Sequence, residues 1–560
     1  MIFNTTRYNY YKLQITNYKL QITNYKLHCL ISKMEIGQSL CFDDVLIEPL
    51  LSNISTRSSI SLETNIATNG RSLIIKTPLI SSPMDTVTET EMSIKMALNG
   101  GLGIIHRYMD INEQVSQIIK VKRFLQYIIQ EPYKILATTT LHEIEELRNI
   151  YNVSSFCVVD NTNKLLGIIT KRDIEYMKQK QYDVSNTNYY NGFENMNYNY
   201  NYDYRSSVNE HDIVLQVYDF MTKSVITLDV TMTEHALETT LSIAKELMLE
   251  RKIEKIPIVN NGILVGLITL NNIKHYENNK SKACIDVNGA LCVGAAIGIV
   301  GDYLERLDKL INVGVDLICL DVANGFNENV FNSIKLIRDK YKKIVLMVGN
   351  VCNWQGYSAL CEYDVDCIRI GVGNGSICTT RLETGIGKGQ FSAVSECFRY
   401  KVQYNTLPHI ICDGGSLGKT GNKVKALACG ASAIMLGRTL ASTEESPGTI
   451  IYRNGKRFKY IRGMASTMAN LSKQEKTESS NSNSKLKTKF TAEGVDGEQE
   501  LSGSVVDLIE QINGGLKSGL SYLGCSNISE LHEKNNKREI KFNLVTSIGM
   551  SENGIRVKTY

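Results

Sequence analysis

The chain is 560 residues long and carries 43% hydrophobic and 21% charged residues, enough apolar surface for a large folded core and too much for wholesale disorder. Sixty-two Lys and Arg against 58 Asp and Glu leave a net charge of +4, which argues against a chain-wide nucleic-acid footprint and points to small-molecule partners. Fourteen cysteines, scattered with no CxxC pair, suit a reduced, cytoplasmic chain, and the longest uncharged apolar stretch, 287–301, is too short to span a membrane.

Residues 1–34 contain no Asp or Glu and repeat YKLQITN from Tyr11 and from Tyr18, so they read as a low-complexity extension, with organellar targeting as the alternative. Beyond them, short aliphatic runs alternate with helical patterns, the signature of βα units around a parallel sheet. Two runs fall in 35–124: PLISS at Pro78 and GLGII at Gly101. Six more fall in 283–560: LCVGAAIG at Leu291, LICLD at Leu317, IVLMVGN at Ile344, CIRIG at Cys367, HIICD at His409 and SAIMLG at Ser432. Eight runs predict an α/β fold, a (β/α)8 barrel. Asp85, His106, Asp321, Asn350, Gly371, Asp413 and Gly437 each follow the end of a run, the face on which such barrels carry their active sites.

The interval 125–282 is too long for one βα step and reads as an insert that is itself duplicated, with SSFCVVDNTNKLLGIITKRDI from Ser154 matched by KIEKIPIVNNGILVGLITLNNI from Lys252. An Asn/Tyr-rich loop over 183–205 separates the halves. The insert resembles a tandem pair of CBS domains. That resemblance implies a regulatory purine nucleotide whose ribose is held by Thr170 and Asp173; the second copy has Thr269 and Asn272, a weaker acceptor pair. A role as an assembly strut is the alternative.

The segment GVGNGSICTTR places Cys378 on a glycine-rich loop at the barrel mouth, flanked by Ser376, Thr379, Thr380 and Arg381. An accessible thiol in a polar setting is a candidate nucleophile, whereas cysteines within apolar runs, such as Cys319 and Cys412, read as inert core. The nearby GGSLGKT is not a phosphate-binding P-loop, because Asp413 stands where that motif needs glycine.

CFDDVLIEP from Cys41, SSPMDTVTE from Ser81, GGLGIIHR from Gly100, GNV from Gly349, GSICTTR from Gly375, CDGG from Cys412, MLG from Met435 and RGMAS from Arg462 together resemble the IMP dehydrogenase and GMP reductase superfamily. The resemblance implies covalent attack of Cys378 on purine C2 and hydride exchange with a nicotinamide cofactor. In the same reading Ser82 joins the substrate site, Asp413 accepts the ribose hydroxyls, and the backbone amides of Ser376, Gly415, Gly437 and Arg438 surround the phosphate. Gly463 and Met464 border the base, Asp321, Asn324 and Gly371 face the cofactor, and backbone carbonyls of Gly373, Gly375 and Cys378 hold a monovalent cation, K+. Relatives assemble as homo-tetramers or octamers; neither a membrane nor a nucleic acid is expected as a partner.

Dehydrogenases of the superfamily activate water with an Arg-Tyr pair on a flap, here 465–495, and the interval 464–494 contains neither residue. LDVANGF at Leu320 and TGIGKGQFSAVSEC from Thr384 resemble reductases, although Lys388 and Gly389 replace an aromatic-Pro pair, and Ile461 stands where an aromatic often precedes the RGM motif. In reductases a threonine and an acidic residue, here Thr380 and Glu493, place the amine. The SSPMDTVTE segment and the insert resemble dehydrogenases. The expectation is therefore GMP reductase with NADPH; the alternatives are IMP dehydrogenase with NAD and a silent nucleotide sensor.

Overall fold

A computed structural model of the chain describes residues 37–124, 128–129, 131–151, 153–187, 215–229, 237–279, 281–415, 418–469, 491–546 and 549. The extension 1–34 and most of the flap lie outside the described residues. All eight predicted runs form parallel strands of one closed barrel: β1 (Leu79–Ser81), β2 (Leu102–Ile105), β3 (Val293–Ile297), β4 (Leu317–Asp321), β5 (Val345–Val351), β6 (Cys367–Ile370), β7 (His409–Asp413) and β8 (Ala433–Leu436). β8 pairs with β1 through Ile434 and Leu79, and β2 pairs with β3 through Gly103 and Val293, on either side of the insert. Strand alternation sends Ile80, Ile104, Cys319, Met347, Ile411 and Met435 into the barrel interior, while Ile105, Ile297, Ile318 and Ile368 pack outward against the helices. Burial on both faces is why the strands read as continuous apolar runs.

The two ends of the barrel differ. At the N-terminal end a hairpin of Thr64–Asn65 and Ile74–Ile75 sends Ile66, Leu73 and Ile75 into the interior cluster. Beside it the fully buried Asp366 carboxylate accepts from the amides of Thr68 (2.7 Å) and Leu346 (2.8 Å) and from the guanidinium groups of Arg71 and Arg338 (2.8 Å each). Two cations and two amides satisfy its lone pairs, which is what a buried charge requires. That end is closed, and the polar residues of the other end remain for chemistry.

The insert holds two three-stranded sheets, one of Lys134–Leu136, Phe156–Val159 and Leu165–Ile169, the other of Leu228–Asp229, Lys255–Asn260 and Ile263–Thr269. The duplication read from sequence extends to detail: each antiparallel pair carries a register shift at the matching place, Val158/Val159 and Ile258/Val259. The helix Lys171–Thr187 runs five residues into the stretch expected to be loop from 183. Neither Gly nor Pro interrupts 171–187; residues 188–205 lie outside the described residues. Among the described residues no helix is long and apolar enough to cross a membrane.

Two half-buried histidines make the outer shell sensitive to acid. His532 Nε2 faces the carbonyls of Leu427 (3.2 Å) and Ala431 (3.0 Å), and His409 Nδ1 lies 3.0 Å from Ser432 Oγ. Burial pushes both imidazoles down to about 4. A depressed pKa means that the native state binds fewer protons than the unfolded chain between pH 6.5 and 4, so this stability is present above pH 6.5 and lost as pH falls through 4. Each group accounts for on the order of 3 kcal/mol. Denaturant unfolding at stepped pH should show a shallower loss across that window for His532→Gln than for the native chain; identical slopes would contradict the assignment.

Candidate active site

The open end of the barrel gathers most of the predicted residues. Cys378 sits half-buried on the loop after β6, with its Sγ 3.1 Å from Thr380 Oγ1. Thr380 Oγ1 donates to Glu493 Oε2 at 2.8 Å, so nucleophile, hydroxyl and carboxylate form one chain of contacts across 113 residues of sequence. By contrast, burial pushes the Cys319 thiol up to about 11 and the Cys412 thiol up to about 12, which keeps both protonated and poor nucleophiles.

Backbone pairing holds this chain of contacts in register. Thr379 N–H donates to Glu493 O (2.9 Å), and Val495 N–H donates to Ile377 O (3.0 Å). On its other side the 493–495 segment pairs with the start of the flap, Gly463 N–H to Val495 O (3.1 Å) and Glu493 N–H to Ala465 O (3.1 Å). The start of the flap is tied in turn to the loops after β1 and β2: Arg462 forms an ion pair with Asp85 (2.5 Å), and Tyr108 Oη donates to Met464 O (2.9 Å).

A second group forms around Asp413 at the end of β7. Asn350 Nδ2 donates to Asp413 Oδ2 (2.8 Å), and the guanidinium of Arg369 reaches both Asp413 Oδ2 and Asp321 Oδ1 at 2.9 Å. Burial alone would lower the pKa of Arg369, but Cys319, Asp413 and Asp321 outweigh that and hold it well above its ordinary value. Gly371 lies against this group with φ +145, and an added Cβ would come within 2.3 Å of Asp413 O, so only glycine fits. Asp321 is not a helix N-cap; the following helix Glu328–Lys340 is capped by Asn327.

The remaining predicted residues are placed unevenly. Ser82 and Gly437 are neighbours, the Cβ position missing from Gly437 lying 3.8 Å from Ser82 Cβ. Gly415 offers its N–H to Asn374 O (3.2 Å), so that amide has a protein partner. The Arg438 side chain turns to Gln499 (3.1 Å), and Ser376 is exposed. Asn324 is exposed, with its Oδ1 accepting from Phe326 N–H in its own turn. The expected cation loop is partly self-satisfied: Gly375 O accepts from Cys378 N–H (3.1 Å), and the stem of Arg381 packs against Gly373. In the insert, Asp173 Oδ2 accepts from both the backbone and the hydroxyl of Thr170 at 2.8 Å, which makes the pair an N-terminal cap of Lys171–Thr187. Arg369 and Tyr108 carry no role in the sequence reading. Arg369 had a signal, a lone cation inside the apolar run CIRIG, which can be buried only with counter-charges.

The open end thus brings a cysteine, a threonine and a carboxylate into one chain of contacts, beside a second carboxylate at the end of β7. The IMP dehydrogenase / GMP reductase domain family matches residues 39–556. The chain belongs to this family. It is 37% identical over 503 residues to the inosine-5'-monophosphate dehydrogenase of Nitrosopumilus maritimus (89% of this chain, 95% of the relative), and 36% identical over 532 residues to that of Aquifex aeolicus (93% and 96%). Among solved structures it resembles a Trypanosoma brucei GMP reductase variant in complex with guanosine 5'-monophosphate, with TM-score 0.77 and 32% identity over 93% of this chain and 98% of that one. It also resembles the T. brucei GMP reductase in complex with guanosine 5'-triphosphate, with TM-score 0.68 and 29% identity over 92% and 99%. As a member of the IMP dehydrogenase / GMP reductase family the chain is a purine-nucleotide oxidoreductase.

Arg369→Met should strand the Asp321 and Asp413 carboxylates without their shared cation. Breaking a buried pair costs about 3–5 kcal/mol. The expected outcome is a lower thermal midpoint together with weakened nucleotide binding by calorimetry; native-like values of both would remove Arg369 from the site.

Proposed function

We propose that the protein is a GMP reductase: GMP, NADPH and a proton give IMP, ammonia and NADP+. The observation that carries this reading is the Cys378–Thr380–Glu493 chain of contacts, supported by the absence of Arg and Tyr from 464–494. In this reading the Cys378 thiolate adds to C2 of the purine, and the C2–N bond to the exocyclic amine then breaks. Thr380, bonded to Glu493, delivers the proton that lets the amine leave as ammonia, the role general acid catalysis assigns to such a pair. A thioimidate on Cys378 remains. NADPH supplies the hydride to C2, and expulsion of the Cys378 thiolate releases IMP.

Asp413, steadied by Asn350 and Arg369, is suited to the nucleotide ribose, and Ser82, Ser376, Gly437 and Arg438 to the phosphate. The cofactor's place is favoured by one orphaned atom: Arg107 Nε is buried without a hydrogen-bond acceptor, 3.9 Å from Asp321, and a carboxamide or phosphate oxygen of a nicotinamide cofactor would complement it. Gly375 O already accepts from Cys378 N–H, and the reaction as written needs no potassium ion.

The dehydrogenase alternative, oxidation of IMP to XMP by NAD, draws support from the names of the curated relatives. Assay of the purified protein separates the two. Expected are NADPH oxidation and ammonia release that depend on GMP; continuous reduction of NAD by IMP with no GMP-dependent NADPH oxidation would establish the dehydrogenase. Cys378→Ser should abolish turnover while retaining nucleotide binding, since an alcohol at its free pKa is a far weaker nucleophile. Glu493→Gln should depress deamination by about 10²-fold or more, and hydride transfer between cofactor analogues and IMP much less.

The insert, read as a CBS pair, is proposed to bind a regulatory purine nucleotide, in line with the GTP complex of the trypanosomal reductase. Thr170 and Asp173 satisfy each other, so the better-suited site is a cavity of about 350 Å³ between the two halves, lined by Arg123, Tyr133, Ser155, Lys255 and Thr269. Burial lowers the pKa of Lys255, whose hydrogen bond goes to the neutral Ser155 hydroxyl, leaving a cation that a phosphate would complement. Lys255→Met should abolish binding of GTP or ATP measured by calorimetry on the full chain.

A further inference from the structure

The nucleophile loop, the far root of the flap and the near root run side by side as a three-segment stem, 377–379, 493–495 and 463–465. The near root is fixed to the barrel through Arg462–Asp85 and Tyr108–Met464. The far root is tied to the nucleophile loop by the Thr380–Glu493 bond and is otherwise located by the segments on either side of it. Where near and far roots meet, two glycines lie face to face. An added Cβ on Gly494 would stand 3.2 Å from Ser466 N, 3.3 Å from Gly463 Cα and 3.4 Å from Ala465 C, and one on Gly463 would stand 3.2 Å from Gly494 Cα and 3.1 Å from Ile377 O. The neighbours are backbone atoms, which cannot swing aside as a side chain would. Gly494 has no left-handed φ, so its lack of a side chain serves close approach, not conformational freedom.

We propose that Gly494 is a positioning residue of the active site, its contact with Gly463 setting the separation at which Glu493 meets Thr380 and hence Cys378. The reason is geometric. Glu493 and Gly494 are consecutive in one extended segment, Thr379 N–H is bonded to Glu493 O, and Cys378 is bridged to Gly494. A methyl at 494 pushes that segment away from 463–465 by a few tenths of an ångström, and the displacement falls on the 2.8 Å Thr380–Glu493 bond and the 3.1 Å Thr380–Cys378 contact. Small errors in the placement of reacting groups carry large rate costs. Gly497, on the strand that follows, has only Ile461 Cγ1 at 4.0 Å from its Cβ position and serves as a control.

The inference rests on the role given to Glu493 above, and a double-mutant cycle in the full-length enzyme separates the two. Gly494→Ala should lower kcat for GMP and NADPH about tenfold to a hundredfold, with KM for GMP nearly unchanged. Gly497→Ala should match the native enzyme. If Gly494 acts through Glu493, adding Gly494→Ala to Glu493→Gln should cost little more than Glu493→Gln alone. A fully active Glu493→Gln enzyme would sink the reading of Glu493. An impaired Glu493→Gln enzyme on which Gly494→Ala imposes a further, multiplicative loss would sink this inference, as would a native kcat in Gly494→Ala. Should Gly494→Ala fail to fold, hydrogen exchange of the native chain decides: the amides of Thr379, Val495 and Gly463 should be protected, and exchange at the rate of an open loop would show that no stem sets the spacing.

Discussion

One buried guanidinium organises the mouth of this barrel. Arg369 points inward from β6 and joins Asp321 at the end of β4 to Asp413 at the end of β7. Without it, two carboxylates would face each other in a poorly hydrated site, and both would resist ionisation. With it, both are satisfied at the ends of β7 and β4, the positions that the proposed function gives to the ribose and the cofactor. Gly371 admits the approach, because a Cβ there would strike Asp413 O. The charge that a barrel interior ordinarily excludes is tolerated here because the ends of β4 and β7 supply its counter-charges.

The other end uses the same physics for the opposite purpose. Asp366 is an anion held by two arginines and two amides, closing the barrel floor over the hairpin residues Ile66 and Leu73. A rigid floor and a charged but satisfied mouth leave the loops between strand and helix as the variable part. The insert follows this logic, since its two ends leave and re-enter between β2 and β3 while those strands still pair through Gly103 and Val293.

The strand order of the barrel was legible because a parallel strand buried on both faces needs an uninterrupted apolar run, and eight such runs are present. The Cys378–Thr380–Glu493 contact was legible only through family resemblance, since nothing local in AEGVDG marks Glu493 as a neighbour of a loop more than a hundred residues away. Arg369 was passed over because its run was scored as apolar, although one cation in such a run demands buried anions. Thr170 and Asp173 show an ambiguity that spacing leaves open: a Thr-x-x-Asp pair at the start of a helix serves as an N-terminal cap as readily as a ribose clamp. The Gly463–Gly494 contact had no sequence signal beyond two glycines at distant positions.

Reductase and dehydrogenase chemistry share the thioimidate on Cys378, so the difference between them lies in how one proton is handled. Expelling an amine requires a proton to arrive at nitrogen; hydrolysing the adduct requires a proton to leave water. A threonine hydroxyl that donates to a carboxylate and also touches the cysteine is a short relay, suited to the first task. The second task in this family is described for an Arg-Tyr pair on the flap, and the interval 464–494 supplies lysines there instead. An exposed lysine, with an unperturbed pKa near 10.4, is protonated at neutral pH and is a poor base for water. The Thr380–Glu493 contact is built from backbone-paired segments, so its distance to Cys378 is set by that pairing.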